Sequence, residues 1–358
     1  MESVRRFDYL DIAKGLGMLG VVWAHINSSG PLSTYFYFFH MPLFFIISGM
    51  LFRTDRQKTF IGFFVHKLKT LFVPYAIYSV ATWLIWVLFN TVSHNEVESN
   101  WMPLLQTLIA QGSQGYLVHN TALWFVPCLI GVQCLYYFIS RLPVWLNVAL
   151  CCALAALNIA LVSTLGTTWS SIPWNMDTGL MALPFFCLGN VYVKYCGHKG
   201  TYDFVNKNKL NKLTFIFIVT AITAYLAYSC FHGPRISMGH SYYGENLLAF
   251  YLRAITGSAA VIIISLLLEG SNRVHKYFSR TYSYLKWFGR NSFDAMSLNV
   301  PVKGVIIVFY SRMIGISQMD IWTNSINSIV PFLLTMIIVT ALMVAVNAVR
   351  RSSKKVLR

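Results

Sequence analysis

Ten stretches of about twenty mostly apolar residues recur along this chain, each long enough to cross the hydrocarbon core of a bilayer as a helix. They fall near 9–28, 35–53, 71–90, 121–140, 144–164, 178–196, 213–231, 248–268, 292–311 and 327–349. Inside lipid every backbone amide must be paired within its own segment, so the expected fold is all-α, a polytopic membrane helix bundle of about ten transmembrane helices. Composition agrees, because 56% of the 358 residues are hydrophobic and only 11% are charged. Mean hydropathy is +0.56, beyond the usual range of a soluble domain. No heptad region, low-complexity tract or internal repeat interrupts the pattern, and residues 1–358 read as a single integral-membrane domain.

The net charge of +16 could suggest nucleic acid, but the basic residues are dispersed between apolar runs rather than gathered into a basic domain. Topology explains them better, since basic loops tend to stay cytoplasmic. With the N-terminus inside, the cytoplasmic set is Arg5, Arg6, Lys14, Arg53, Arg56, Lys58, Lys67, Lys69, Arg141, Lys194, Lys199, Lys207, Lys209, Lys212, Arg273, Lys276, Arg280, Lys286, Arg290, Arg350, Arg351, Lys354, Lys355 and Arg358. Of 28 Lys and Arg, only Arg235, Arg253, Lys303 and Arg312 remain for the other side or the outer half of the bilayer. The split places both termini in the cytoplasm and the long polar connections 91–120 and 232–247 outside. The first apolar segment, interrupted by Asp11 and Lys14 and closed by no small-residue cleavage pattern, is expected to be retained. The seven cysteines lie within or at the ends of apolar spans without metal-ligand spacing, and read as packing residues; no metal site is expected.

Within the first span, "DIAKGLGMLGVVWAH" carries Asp11, Lys14 and His25. On an α-helix, positions eleven apart differ by about 20° from three full turns and lie roughly 16 Å apart along the axis, so Lys14 and His25 share a face at different depths. Asp11 joins that face at the cytoplasmic end. Charged groups inside a membrane usually face a bundle interior or a water-filled cavity. Snorkelling explains one such residue; three on one stripe, with Gly15, Gly17 and Gly20 admitting a partner helix, point to a polar channel. The next segment, "YFYFFHMPLFFIISGMLF", runs back from outside to inside. It puts His40 near the depth of His25 and Ser48 near that of Lys14, with a kink expected at Pro42. The aromatic run Tyr35 to Phe39 reads as an interfacial belt.

These residues resemble the integral-membrane acyltransferase family 3, in particular its fucose and nodulation-factor O-acetylase-like branch. The resemblance rests on the basic residue, ten residues, His pattern of Lys14 and His25, on "FHMPLFFIISGMLF", and on the basic stretch of "FFVHKLKTLFVPY". It extends through "LWFVPCLIGVQ", "PFFCLGNVYVK" and "GRNSFDAMSLNVP" over nearly the whole chain. It implies an O-acetyltransferase of a bacterial-type inner (plasma) membrane. Such an enzyme takes an acyl group, usually acetyl, from cytoplasmic acyl-CoA to a hydroxyl of a surface-polysaccharide or lipid-linked sugar on the far side. Acetyl-CoA is then a co-substrate, and no cofactor is bound permanently. The resemblance assigns the leading catalytic role to His25 and the motif base to Lys14. The chain departs from the pattern at Thr70, where relatives often carry a basic residue, and at Asn299, where many carry a second histidine.

The chemistry of the residues fits such a reaction on its own terms. Acyl transfer from a thioester to an alcohol needs a base for the hydroxyl proton and donors for the developing oxyanion. Neutral imidazole, which titrates near 6.5 when unperturbed, suits the first task, so His25 is the expected base. Lys14 would anchor the polar part of CoA, oriented by an ion pair with Asp11, and Lys67, Lys69 and Arg53 are candidate phosphate contacts. The acceptor side offers "FHGPRISMGHSYYGEN", with His232, Arg235, His240, Tyr242, Tyr243, Glu245 and Asn246, and, at the end of the fourth span, Trp124 and Phe125. Arg253 and Lys303, inside spans on the side where bases are scarce, either line the acceptor cavity or stabilise the oxyanion, or else pair with Asp294 or snorkel. A transporter or flippase of lipid-linked glycans would share the span count, the buried charges and the aromatic loops. The absence of paired broken segments in two corresponding halves counts against it.

Overall fold

The computed structural model describes residues 7–54, 59–92, 101–109, 118–166, 172–244 and 246–356. Glu245 and the basic residues Arg5, Arg6, Arg56, Lys58 and Arg358 lie outside the described residues. Among the described residues all regular structure is helical, apart from one antiparallel bridge between Ser237 and Tyr242.

The chain begins with α1 (Asp8–Ile26), α2 (Pro31–Tyr37), α3 (His40–Met50) and α4 (Phe60–Lys67), which continues through a π-helical turn at Leu68–Phe72 into α5 (Val73–Val92). There follow α6 (Met102–Ile109), a 3-10 turn at Thr121–Trp124, α7 (Phe125–Ile139), α8 (Val144–Leu165), α9 (Met176–Cys196), α10 (His198–Asn206) and α11 (Lys209–His232). The last third holds α12 (Leu247–Glu269), α13 (Asn272–Tyr277), α14 (Ser279–Arg290), α15 (Ser292–Ile314), α16 (Gln318–Thr323) and α17 (Ser325–Val356). Nine helical segments among the described residues are long and apolar enough to cross a membrane. The first helix, α1, is not one of them, yet it is the central helix of the bundle, packed against α2, α3, α12, α14, α15 and α17.

Two prolines shape the path. The expected kink at Pro42 falls instead at Phe38–Phe39, where Phe39 leaves helical geometry at φ −139° and ψ −13°. A proline ring clashes with the carbonyl four residues earlier, here that of Phe38, so the break precedes Pro42 and leaves it in the first turn of α3, where its missing N–H costs nothing. His40 thereby becomes the first residue of α3. In the same way Pro74 opposes the carbonyl of Thr70, which lies within the π-helical turn.

Small residues set the helix crossings, as they must where lipid supplies no hydrophobic drive between helices. A Cβ at Gly289 would land on the carbonyl oxygen of Asp11, and one at Gly15 on that of Leu285, so α1 and α14 meet backbone to backbone. Gly49 and Gly189 join α3 to α9 in the same fashion. Gly17 and Gly20 of α1 instead face Leu43 and Phe36. The three glycines therefore admit different neighbours rather than one partner helix. Phe38 and Phe39 are buried in the core, whereas Tyr35, Phe36 and Tyr37 stay partly exposed, so only the end of the aromatic run is core packing.

Candidate active site

A cavity of about 240 Å³ follows the face of α1 that bears the polar stripe. Lys14, Ser48 of α3 and Ser292 of α15 line one end, and His25, His40 and His240 line the other. Met18, Val21, Met41, Phe44, Leu129 and Met296 form an apolar middle. The helical rise puts the ends roughly 16 Å apart.

At the Lys14 end the backbone approach of α14 allows a network of ion pairs. Asp11 binds Lys14 Nζ at 2.7 Å through Oδ1 and accepts from Arg290 Nε at 2.9 Å through Oδ2. Arg290 also reaches Asp8 Oδ1 at 3.1 Å, and Lys286 reaches Asp8 Oδ2 at 2.9 Å. The Asp11 carboxylate holds the Arg290 guanidinium even more firmly protonated than usual. An ammonium has three donors, so Lys14 is oriented by one and keeps two for the cavity. Arg290 and Asp8 were not among the sequence candidates. The available signal was the "GRNS" motif, whose glycine permits the crossing and whose arginine makes the pair.

At the other end the half-buried His25 ring lines the cavity, and no hydrogen bond to another described residue holds either of its nitrogens. His40 is 4% exposed, and its Nδ1 lies 2.7 Å from the carbonyl oxygen of Phe36. A carbonyl only accepts, so Nδ1 carries the proton and Nε2 holds its lone pair. Lys303 donates to the backbone carbonyl of His25 at 2.7 Å. The loop after α11 closes this end. Arg235 donates to the carbonyl of Ser28 and stacks 3.9 Å over the Tyr37 ring. Thr178 donates to Met238 O at 2.8 Å, Ser241 donates to Asp177, and Ser237 Oγ lies 2.9 Å from His240 Nδ1. Trp124 and Phe125 line the cavity beneath this loop, with the Trp124 indole against Gly239.

Of the sequence candidates, the cavity brings together Lys14, His25, His40, Ser48 and Trp124, with Asp11 immediately behind Lys14. Lys67 and Lys69 do not line it; Lys67 sits 5.1 Å from the Phe63 ring centroid and Lys69 is exposed. Nor does Arg253, whose guanidinium lies 5.0 Å from the Phe38 ring centroid. The expected pairing of Arg253 or Lys303 with Asp294 is not made. Asp294 is held by Arg350 at 2.7 and 2.8 Å and by Tyr78 at 2.8 Å, a partnership across 56 residues that no helical period announces.

A helical membrane bundle with an internal cavity, cationic at one end and rich in imidazole at the other, is the class of protein these features define. Residues 7–348 match the family model described as an acyltransferase domain, and the chain belongs to acyltransferase family 3. It is an acyltransferase enzyme of multi-pass membrane architecture. No curated protein and no solved structure matches the chain.

Proposed function

We propose that this enzyme moves an acetyl group from cytoplasmic acetyl-CoA to a hydroxyl of a surface-polysaccharide or lipid-linked sugar on the extracytoplasmic side of a bacterial-type plasma membrane. The observation that carries this reading is the single cavity lined by both Lys14 and His25. Both termini are assigned to the cytoplasm on the distribution of basic residues, which makes the Lys14 end the donor side. Lys14, oriented by Asp11, holds the polar part of the donor. Lys67 and Lys69, on the helical segment that follows Ser48, are assigned to CoA phosphates outside the cavity.

At the His25 end the acceptor hydroxyl attacks the thioester carbonyl carbon while the imidazole takes its proton. The C–O bond forms, the C–S bond breaks, and the departing thiolate recovers a proton from the imidazolium, giving the acetyl ester and CoA. His25 is the preferred base because its ring nitrogens are left for substrate, whereas His40 is fixed by Phe36 and offers one acceptor to a neighbouring sugar hydroxyl. Trp124 supplies an apolar face to the sugar. To test this, membranes carrying wild type or His25→Ala are incubated with labelled acetyl-CoA and lipid-linked glycan. Label should reach glycan with wild type only; equal labelling by the variant overturns the assignment of His25.

A further inference from the structure

A second cavity, of about 340 Å³, meets the first at Thr121, which lines both. One wall is α5, with Ile85, Trp86 and Phe89, and the other is α15, with Val300, Gly304 and Val308. Ile85 is 44% exposed, on the face that a membrane-spanning α5 turns to lipid, so the cavity opens sideways into the bilayer. Its polar groups are few and gathered together. Lys303 stands in the wall and donates to the carbonyl of His25, leaving two ammonium donors. No carboxylate contacts it among the described residues. His119, 2% exposed, binds Thr107 through Nε2 at 3.2 Å, and its Nδ1 is buried without a partner. Gln318 and Trp322 close one end.

A cation set in an apolar membrane wall without a counter-ion calls for an anion. The surrounding apolar surface, open to lipid, calls for a hydrocarbon chain attached to that anion, and indole rings such as Trp86 and Trp322 favour headgroup depth. We propose that this cavity holds the phosphate and first chain carbons of the lipid that carries the acceptor sugar, with Lys303 pairing the phosphate. The sugar then passes Thr121 toward His25, and the bond from Lys303 to the His25 carbonyl fixes the spacing between carrier phosphate and base. This rests on the proposed function and narrows its acceptor to a lipid-linked one.

Gly304 makes the idea testable, because it lines the cavity and a Cβ there meets nothing within 4 Å, so a side chain added at this position starts in open cavity space. The full-length protein in neutral lipid nanodiscs is titrated with dibromocitronellyl phosphate, whose bromines quench nearby tryptophans, while thermal unfolding of each variant is followed in parallel. Wild type and His25→Ala should bind saturably and alike. Lys303→Gln and Gly304→Leu should each weaken binding about tenfold or more, and Lys303→Arg should retain it. No saturable quenching, or quenching unchanged in Lys303→Gln and Gly304→Leu, overturns the proposal. Equal quenching by brominated phosphatidylglycerol assigns the cavity to ordinary anionic lipid, and displacement by inorganic phosphate at the same concentration assigns it to a free anion; either also overturns it. Because binding is read without turnover, binding without acetyl transfer refutes only the proposed reaction, and transfer without binding refutes only this site.

Discussion

Replacing Asp11 by asparagine keeps the shape of the side chain and removes the charge on which the Lys14 end is built. Asp11 accepts from Lys14 at 2.7 Å and from Arg290 at 2.9 Å, and its side chain is 11% exposed. Charge-assisted hydrogen bonds contribute about 1.5–3 kcal/mol each. Asparagine still offers one acceptor oxygen, and the partners are 20% and 34% exposed, so water recovers part of the loss. A net cost of about 2–3 kcal/mol follows, or roughly 3–4 °C in unfolding midpoint for a chain of this size. Lys14 would lose its orientation, so the KM for acetyl-CoA should rise about tenfold with a smaller change in kcat. Adding Arg290→Gln to Asp11→Asn should cost less than the sum of the two alone, since both break the same bond. The assays are thermal unfolding in detergent and initial rates against acetyl-CoA concentration. An Asp11→Asn enzyme with wild-type midpoint and wild-type KM would refute the claim that this carboxylate positions Lys14.

Three further outcomes follow from the packing. Gly289→Leu would drive a side chain into the carbonyl of Asp11 and part α1 from α14, so folded protein recovered by size-exclusion chromatography should fall well below that of Asp11→Asn. Arg350→Met would strand the Asp294 carboxylate, whose side chain is 4% exposed, at a cost of about 3–5 kcal/mol, and Asp294→Asn in the same chain should restore much of the unfolding midpoint. Burial pushes His119, which lies between membrane spans, down to about 4. The unfolded chain takes a proton at that imidazole near 6.5 and the folded chain does not, so stability from this group is complete above 6.5, declines as the pH falls toward 4 and then levels off. The decline should be shallower in His119→Gln, and equal unfolding midpoints of wild type between pH 7 and pH 4.5, after correction with that variant, would contradict it.

Much of the bundle was legible because a membrane span is written in consecutive residues, and the stripe of Lys14 and His25 was legible because both residues obey one helical period. The partners of that stripe were not. Arg290 meets Asp11 only because Gly289 and Gly15 let two backbones touch, and nothing in either segment encodes the other's depth. Asp294 reads from the sequence as one of two alternatives for Arg253 and Lys303, whereas Arg350 on the last helix reaches it together with Tyr78 of α5. Pro42 was read as a kink at its own position, although its steric conflict lies one turn earlier, and that displacement places His40 at a helix start. The loop after α11 reads from the sequence as an outer, acceptor-side segment, but its closure over the His25 end depends on Thr178 and Asp177, about 60 residues away, which no local pattern announces.

The central claim is that acetyl passes through the bundle from the Lys14 end to a hydroxyl beside His25. It is tested most directly by purified enzyme reconstituted in one orientation in liposomes, with labelled acetyl-CoA on the side of the termini and lipid-linked glycan exposed only on the other. Label should accumulate on the glycan with wild type and stay at background with His25→Ala. Labelling that requires both substrates on the same side, or that persists in His25→Ala, would contradict the account.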